Sequence, residues 1–463
     1  MKGPPTETIL QLIREAINCI DKQSPNFSRS GIANIDKYDA CEDVILNYHQ
    51  YKNKSIKEYF YDLKCSDEFV KNNILKPALN SLKHDNKVTA DYFNEKITEC
   101  VTKSVSRDDN KWYFIFPVNF RLESKNGIQK EFKICDKVVQ LLNYRDFWES
   151  EFWSDDVKKQ LKDSFHDNRN RHEYNWAITN GEGKDWLFAL EQSVKIINRF
   201  LGAVNLSYWI GRKIGSGKWS RYPETSGYTE IVTPSYVLKY DSNKNFEGLY
   251  HFEVGCAVDK YVVFRNGTRK EYQNLIAIFE DLNRLDKESE AYKVIFEALE
   301  IYNLALNKIG YDSGFLYLWT GLEKMTFRRR EGRDKDIPYP TIIKRLLGIM
   351  INPPEIIEIR LNDMVNKRHQ LVHGGKYDIF SQSEFNFLKR NYEGVLLFLM
   401  NHNNKFKTID EIELIYDNSG KTREKLEEEI RIIKDVEVRV INYLLEQKEI
   451  SLKNSEDKIA CVG

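Results

Sequence analysis

A chain of 463 residues is too long for one hydrophobic core, and roughly two to four domains are expected. Hydrophobic residues make up 41% and charged residues 30%, which excludes a disordered chain. Lys+Arg and Asp+Glu both number 70, which excludes a global pull toward nucleic acid, so a polyanionic partner must be met by a local basic patch.

Residues 1–110 read as a helical region. "ETILQLIREAINCI" puts Ile9, Leu12, Ile13, Ala16, Ile17 and Ile20 on one stripe. "ACEDVILNYHQYKNKSIKEYFYDL" and "SDEFVKNNILKPALNSL" follow with similar spacing after the polar loop "DKQSPNFSRSGIANIDK". At "KWYFIFPVNFRLESKNGIQKEFKICDKVVQLL" the texture changes. Aromatic and β-branched runs flank "SKNG", which reads as a strand hairpin. A helix is predicted over Lys184–Ile210, then strands in "EIVTPSYVLKYDSNKNFEGLYHFEVGCAV" and "KYVVFRNGTRKEY". Residues 111–268 are thus expected to form a mixed α/β domain, with a sensing or regulatory role as its hypothetical task.

From Arg269 the pattern is helical again, and several helices on short connections imply an antiparallel bundle over 269–405. A C-terminal helical extension follows over 406–463. Its last helix carries Leu426, Ile430, Ile433, Val436, Val440 and Leu444 on one stripe, which is expected to dock onto the body rather than form a coiled coil. The expected fold class is therefore α+β and mostly α.

The seven cysteines are scattered without a CxxC pair, as in a reducing, cytoplasmic setting. No signal pattern or membrane-length apolar run is visible, so a soluble cytoplasmic protein with no membrane partner is expected. No cofactor is implied. "GRKIGSGKWS" fails as a nucleotide loop, because Arg212 stands where the first glycine belongs and Trp219 where a magnesium-holding Ser or Thr is required.

The stretch "LNDMVNKRHQLVHGGKYD", Leu361–Asp378, carries the most chemistry. As a zinc-protease HExxH motif it fails, because Gln370 replaces the glutamate that must take up a proton. His369 and His373 retain the i, i+4 spacing of a metal clamp, yet no third ligand is visible nearby, so no metal is expected. Read instead from Arg368 to His373, the stretch pairs a guanidinium with an imidazole at the end of an amphipathic helix (Ile356, Ile357, Ile359, Leu361, Met364, Val365). Gly374 and Gly375 supply the stop. Residues five apart lie about 140° apart on an ideal helix, so only the long arginine stem or a loosened last turn brings both groups to one pocket. The helix's carbonyl end favours a cation at His373, and an arginine fork matches a phosphate bidentately. The pair is sufficient for RNA cleavage in which the 2′-OH attacks its own phosphate.

Arg368-His369-Gln370-Leu371-Val372-His373 resembles the signature of the HEPN superfamily: Arg, a polar residue, three residues of any type, then His. "GFLYLWTGLEKM" (Gly314–Met325) looks like the helix that carries an acidic residue in its abortive-infection (ApeA-like) branch. The resemblance covers about Arg269 to His402. It implies a HEPN-like helical bundle that forms a homodimer, with two motif copies facing one cleft. It also implies metal-independent endoribonuclease activity in antiphage or toxin-like defence, set off by a phage-derived trigger. Arg368 would stabilise the phosphate, His373 would be the acid or base, His369 a polar helper and Glu323 a partner fixing Arg368. The alternative is a non-catalytic HEPN-type dimerisation or RNA-binding module.

The loop "TFRRREGRDKDIPYP" supplies candidate RNA contacts at Arg328, Arg329, Arg330, Arg333 and Lys335. It reads equally well as a solvated interhelix loop salted by Glu331, Asp334 and Asp336. "FHDNRNRHEYNW", with His166, Arg169, Arg171 and His172, reads as a polar loop.

Overall fold

In the computed structural model the chain is mostly helical with a small sheet. The structure describes residues 6–20, 35–105, 108–123, 130–164, 175–215, 229, 231–252, 262–265, 271–308, 310–329, 335–349, 355–418, 421 and 423–460. "SKNG", Lys218 and Trp219, Arg330, Arg333, and the His166–His172 cluster lie outside them.

The elements begin with α1 (Thr6–Cys19), α2 (Ile35–Tyr48), the short β1 (Gln50–Tyr51) and β2 (Lys54–Ser55), α3 (Ile56–Asp62), α4 (Asp67–Val70), α5 (Lys76–Asp85) and α6 (Ala90–Ser104). The sheet region holds β3 (Asn110–Val118), β4 (Phe120–Glu123), β5 (Glu131–Ile134), β6 (Lys137–Leu142), α7 (Tyr144–Trp148), α8 (Asp155–Ser164), β7 (Asn175–Gly183), α9 (Trp186–Gly215), β8 (Tyr236–Tyr240), β9 (Phe246–His251) and β10 (Val262–Arg265). There follow α10 (Glu271–Asn283), α11 (Glu290–Leu306), α12 (Tyr311–Met325), α13 (Tyr339–Ile349), α14 (Glu355–Gly374), α15 (Gln382–His402), α16 (Ile409–Asn418) and α17 (Arg423–Ala460). They divide into two compact units, Met1–Arg284 with Leu299–Gly314, and Leu285–Ala298 with Phe315–Gly463.

In the first unit the predicted stripe of α1 is real: Ile9, Ile13, Ala16 and Ile17 are buried against Tyr38, Ile45, Leu79, Phe93 and their neighbours. The main sheet has the strand order β5-β6-β7-β3-β8-β9, with every neighbouring pair antiparallel. β3 is buried without interruption from Phe114 to Val118, because both faces of the sheet are covered. Ile115 meets Trp176, Phe147 and Leu238 on one side, while α9 and α10 bring Phe200 and Phe279 against Phe132 of β5 on the other.

The turn of the expected hairpin, "SKNG", lies outside the described residues, and among the described ones its flanking strands β4 and β5 are not paired with each other. β4 pairs in parallel with β10, and β5 turns instead into β6 through Cys135 and Asp136. Cys135 takes φ +54°, the left-handed geometry that a two-residue hairpin loop demands.

In the second unit, α15 starts with a capping box in which Ser381 and Glu384 satisfy each other's backbone N–H groups. Phe385, Leu388, Tyr392, Leu396 and Leu399 of that helix are buried, as are Phe315, Leu318, Trp319 and Leu322 of α12. Gly321 of α12 lies so close to the Tyr392 ring that a Cβ there would overlap it. Arg345 of α13 is buried and fully engaged. It donates to Thr326 O at 2.7 Å, to Glu413 Oε1 at 3.0 Å, and with two nitrogens to Asp417 at 2.8 and 3.1 Å.

Two helix faces differ from expectation. Ile430, Ile433, Val436 and Val440 of α17 are all exposed, so over this span the stripe does not dock on any described residue. An amphipathic period makes a face available for burial but supplies no surface to cover it. On α14 only Leu361 and Met364 are buried, and Ile356 and Ile359 face outward with 64% and 57% of their surface open.

Candidate functional site

The site is built around α14. Leu361, Met364 and Arg368 fall at i, i+3 and i+7, one inward stripe, with the first two buried and the third half-buried. Putting a guanidinium on that stripe forces the helix to supply it with a counter-charge. Glu323, on α12, provides it: Arg368 Nη2 lies 3.3 Å from Glu323 Oε1.

The same oxygen serves two further groups. Trp319, one turn earlier on α12, donates its Nε1–H to Oε1 at 2.8 Å, and Arg328 Nη1 lies 3.0 Å away. Glu323, Arg328 and Arg368 leave only 12%, 14% and 16% of their side-chain surface open. Tyr339, the first residue of α13, lies beside both cations, with Arg328 Cζ 4.1 Å and Arg368 Cζ 5.4 Å from its ring centroid. Burial, and after it the Glu323 carboxylate, push the Tyr339 hydroxyl above its ordinary range, with Arg368 and Arg328 pulling the other way. The hydroxyl therefore stays protonated at neutral pH.

Arg328 is further held by its own turn. Its Nε donates to Ile337 O at 3.4 Å, and Phe327 just before it adopts φ +56°. Arg368 keeps a buried Nε with no hydrogen-bond partner among the described residues. Asp336 lies 3.9 Å from Arg328 Nη2 and 3.0 Å from Arg329 Nε, so with Glu323 the cluster holds three cations against two carboxylates, an excess of one positive charge.

The histidines stand elsewhere on α14. His369 and His373 are both exposed, their rings edge to face with centroids 4.9 Å apart. α14 ends at Gly374, and Gly375 takes φ +60°, which a glycine adopts without the penalty a side chain would bring. No hydrogen bond, ion pair or ring contact joins His373 to Arg368. Among the described residues no group of three or more His, Cys, Asp or Glu is placed so that it could hold a metal ion. Lys367, next to the motif arginine, faces away from it toward Glu384. That hydrogen bond chiefly holds its ammonium above the ordinary range, with burial opposing and Asp363 adding to the rise.

Of the loop cations, Arg328 joins Glu323 and Arg368, whereas Arg329 stays exposed with its Nε 3.0 Å from Asp336. Lys335 is exposed. Sequence reasoning missed Trp319 and Tyr339. The first is discoverable as a donor placed at i−4 from a helical carboxylate, the second as an aromatic closing a basic loop.

A separate cavity of about 360 Å³ in the first unit is lined by Arg121, Glu123, Lys130, Asn143, Asp146 and Asn175. It has the size of a small-ligand pocket, but Arg121 already faces Glu123 and Lys130 already faces Asp146, each at 2.5 Å.

Comparison with family models, with curated proteins and with solved structures finds no match to this chain. No helix among the described residues is long and apolar enough to cross a membrane.

Proposed function

We propose that this chain is a metal-independent endoribonuclease of the HEPN type, acting in antiphage, abortive-infection or toxin-like defence. The observation that carries the reading is the Arg368–Glu323 ion pair: the arginine of the motif is fixed by an acidic residue from another helix, while His373 remains open to solvent. In the reaction the ribose 2′-OH loses its proton and its oxygen attacks the adjacent phosphorus. The P–O5′ bond breaks, the 5′ oxygen takes up a proton, and a 2′,3′-cyclic phosphate remains. His373 moves a proton, Arg368 holds the charge that builds on the non-bridging oxygens, and His369 assists. Arg328, Arg329, Arg330, Arg333 and Lys335 supply the phosphate contacts that retain the strand.

Arg368 and His373 leave α14 about 140° apart, so one copy does not readily present both to the same phosphate. A homodimer resolves this by letting two motifs share a cleft. The outward Ile356 and Ile359, on the helix that carries the histidines, are the kind of surface a second copy covers.

The lack of contact between Arg368 and His373 also favours a second reading, a non-catalytic dimerisation or RNA-binding module. One assay separates them. Wild type, Arg368→Ala and His373→Ala are incubated with RNA in EDTA, and the products are examined for cyclic-phosphate ends. Cleavage by wild type and its loss in both variants is the expected result. RNA bound but uncut by wild type leaves the binding module, and cleavage that returns only with added metal overturns the metal-independent mechanism.

A further inference from the structure

We propose that Arg328 and Tyr339 form, together with Arg368, a single seat for the non-bridging oxygens of an RNA phosphate, and that Glu323 is the positioning residue for both guanidiniums. The ligand's identity rests on the ribonuclease reading, whereas the seat itself rests on geometry.

Glu323 Oε1 lies 3.0 Å from one guanidinium and 3.3 Å from the other. Two like charges this close repel unless an anion stands between them, and here one carboxylate must do so for both. The surplus positive charge is what a phosphodiester, carrying one negative charge, would neutralise. Tyr339 sets the orientation. A guanidinium near an aromatic face has its plane restrained, so its N–H edges are presented in a fixed fork.

Arg328 commits Nε to a backbone carbonyl and Nη1 to Glu323. Its Nη2 approaches Asp336 only to 3.9 Å. Arg368 has Nη2 near Glu323 and a buried Nε without a partner. That Nε is closed to solvent and is not itself offered to a ligand; a phosphate oxygen meets the part of each guanidinium that stays open, 14% of the Arg328 and 16% of the Arg368 side-chain surface. The neutral Tyr339 hydroxyl adds no second negative charge to compete with the phosphate. In this arrangement Arg328 belongs to the cleavage site, and only Arg329, with the rest of the basic loop, serves the flanking strand.

The rival explanation is a purely structural cross-link of α12, α13 and α14. Salt dependence distinguishes the two, because only a residue that neutralises a phosphate releases counterions on binding. Full-length protein is titrated at several salt concentrations with a short 2′-O-methyl oligoribonucleotide, which cannot be cleaved for want of a 2′-OH.

Arg328→Gln is expected to weaken binding and to reduce the slope of log K against log salt by about 0.7, one phosphate contact on a single strand. Tyr339→Leu should weaken binding with the slope unchanged, since no charge is lost. Arg423→Gln, at an exposed ion pair on α17, should alter neither. If Arg328→Gln does not fold, Arg328→Lys replaces it. That variant keeps the cation, so its slope should match wild type, while its cleavage of ordinary RNA should fall at least tenfold because the fork is gone.

A wild-type slope in Arg328→Gln, or full cleavage by Arg328→Lys, overturns the seat and leaves the ribonuclease reading intact. An Arg328-dependent slope in a wild type that never cleaves RNA keeps the seat and removes the nuclease. Absence of both binding and cleavage in wild type removes both.

Discussion

Trp319 and Glu323 lie one turn apart on α12, and the indole N–H of the first donates to the carboxylate oxygen that both arginines of the site approach, at 2.8 Å. The indole thus fixes which rotamer the carboxylate holds. Trp319→Tyr removes that donor while keeping an aromatic ring, and is expected to slow cleavage more than it lowers melting temperature. Glu323→Gln leaves Arg368 without a counter-charge and Arg328 with only its 3.9 Å approach to Asp336, and should cost about 2 to 3 kcal/mol of stability, read by urea denaturation, as well as abolishing cleavage. An unchanged denaturation midpoint in Glu323→Gln would mean that the two arginines hold each other's company by some other means.

Gly321→Ala tests how tightly α12 approaches α15. The new methyl group would overlap the Tyr392 ring, whose hydroxyl is anchored on Ala298 O at 2.6 Å. Overpacking of this kind costs about 1 to 3 kcal/mol, so a lower midpoint is expected although alanine is the better helix former. A stabilised variant would show that the ring can move aside.

Arg345→Met keeps an unbranched stem and removes the guanidinium with its charge. Glu413 then loses a hydrogen-bonded partner in a buried setting, and the Thr326 carbonyl loses a donor. A loss of about 3 kcal/mol is expected. Because Thr326 immediately precedes the turn that carries Arg328, the RNA-binding salt slope is a second readout of the same change.

His49 gives the fold a defined acid sensitivity. Its Nε2 lies 2.8 Å from Asn94 Oδ1 and its ring packs edge-on against Phe93. Burial holds the imidazole below its ordinary value of 6.5, and the bond to Asn94 offsets this only in part. The folded form therefore binds a proton less readily than the unfolded chain. Its contribution is complete above about pH 6.5 and is lost as pH falls through the lower folded value. Melting temperature followed from about pH 8 to about pH 5 should fall more steeply for wild type than for His49→Gln. Parallel curves would assign the acid sensitivity to other groups.

Ile356→Asp combined with Ile359→Asp addresses the assembly. Both side chains are exposed, so the folded subunit should keep its melting temperature in dilute solution. If this face joins two copies, light scattering should report half the wild-type mass and cleavage should disappear with it. A wild-type mass would place any dimer contact elsewhere.

What could be read from the sequence was what depends on local spacing. The stripe of α1, the long α9 and the glycine stop of α14 follow from periodicity and from the conformational freedom of glycine, and each is present. Strand pairing was less legible. β4 and β5 each look like half of a hairpin, but β4's partner is β10, far along the chain, and no local pattern encodes that choice. The exposed stripe of α17 marks a second limit, since apolar spacing reports what a helix can bury and not what is there to cover it. In the site, Glu323 came into view through a family resemblance, whereas Trp319 and Tyr339 did not. Their contribution is to hold a charged group in place, and an indole or phenol in that role leaves the same letters in a sequence as one that merely fills a core.

That one oxygen atom answers to two cations ties three positions into a single unit of inheritance. Replacing the glutamate takes the shared anion from both arginines at once, and replacing either arginine changes the charge balance felt by the other. Descendants of this chain should therefore keep positions 323, 328 and 368 together, or lose all three in step, and a lineage that retains only one or two should have abandoned the chemistry as well.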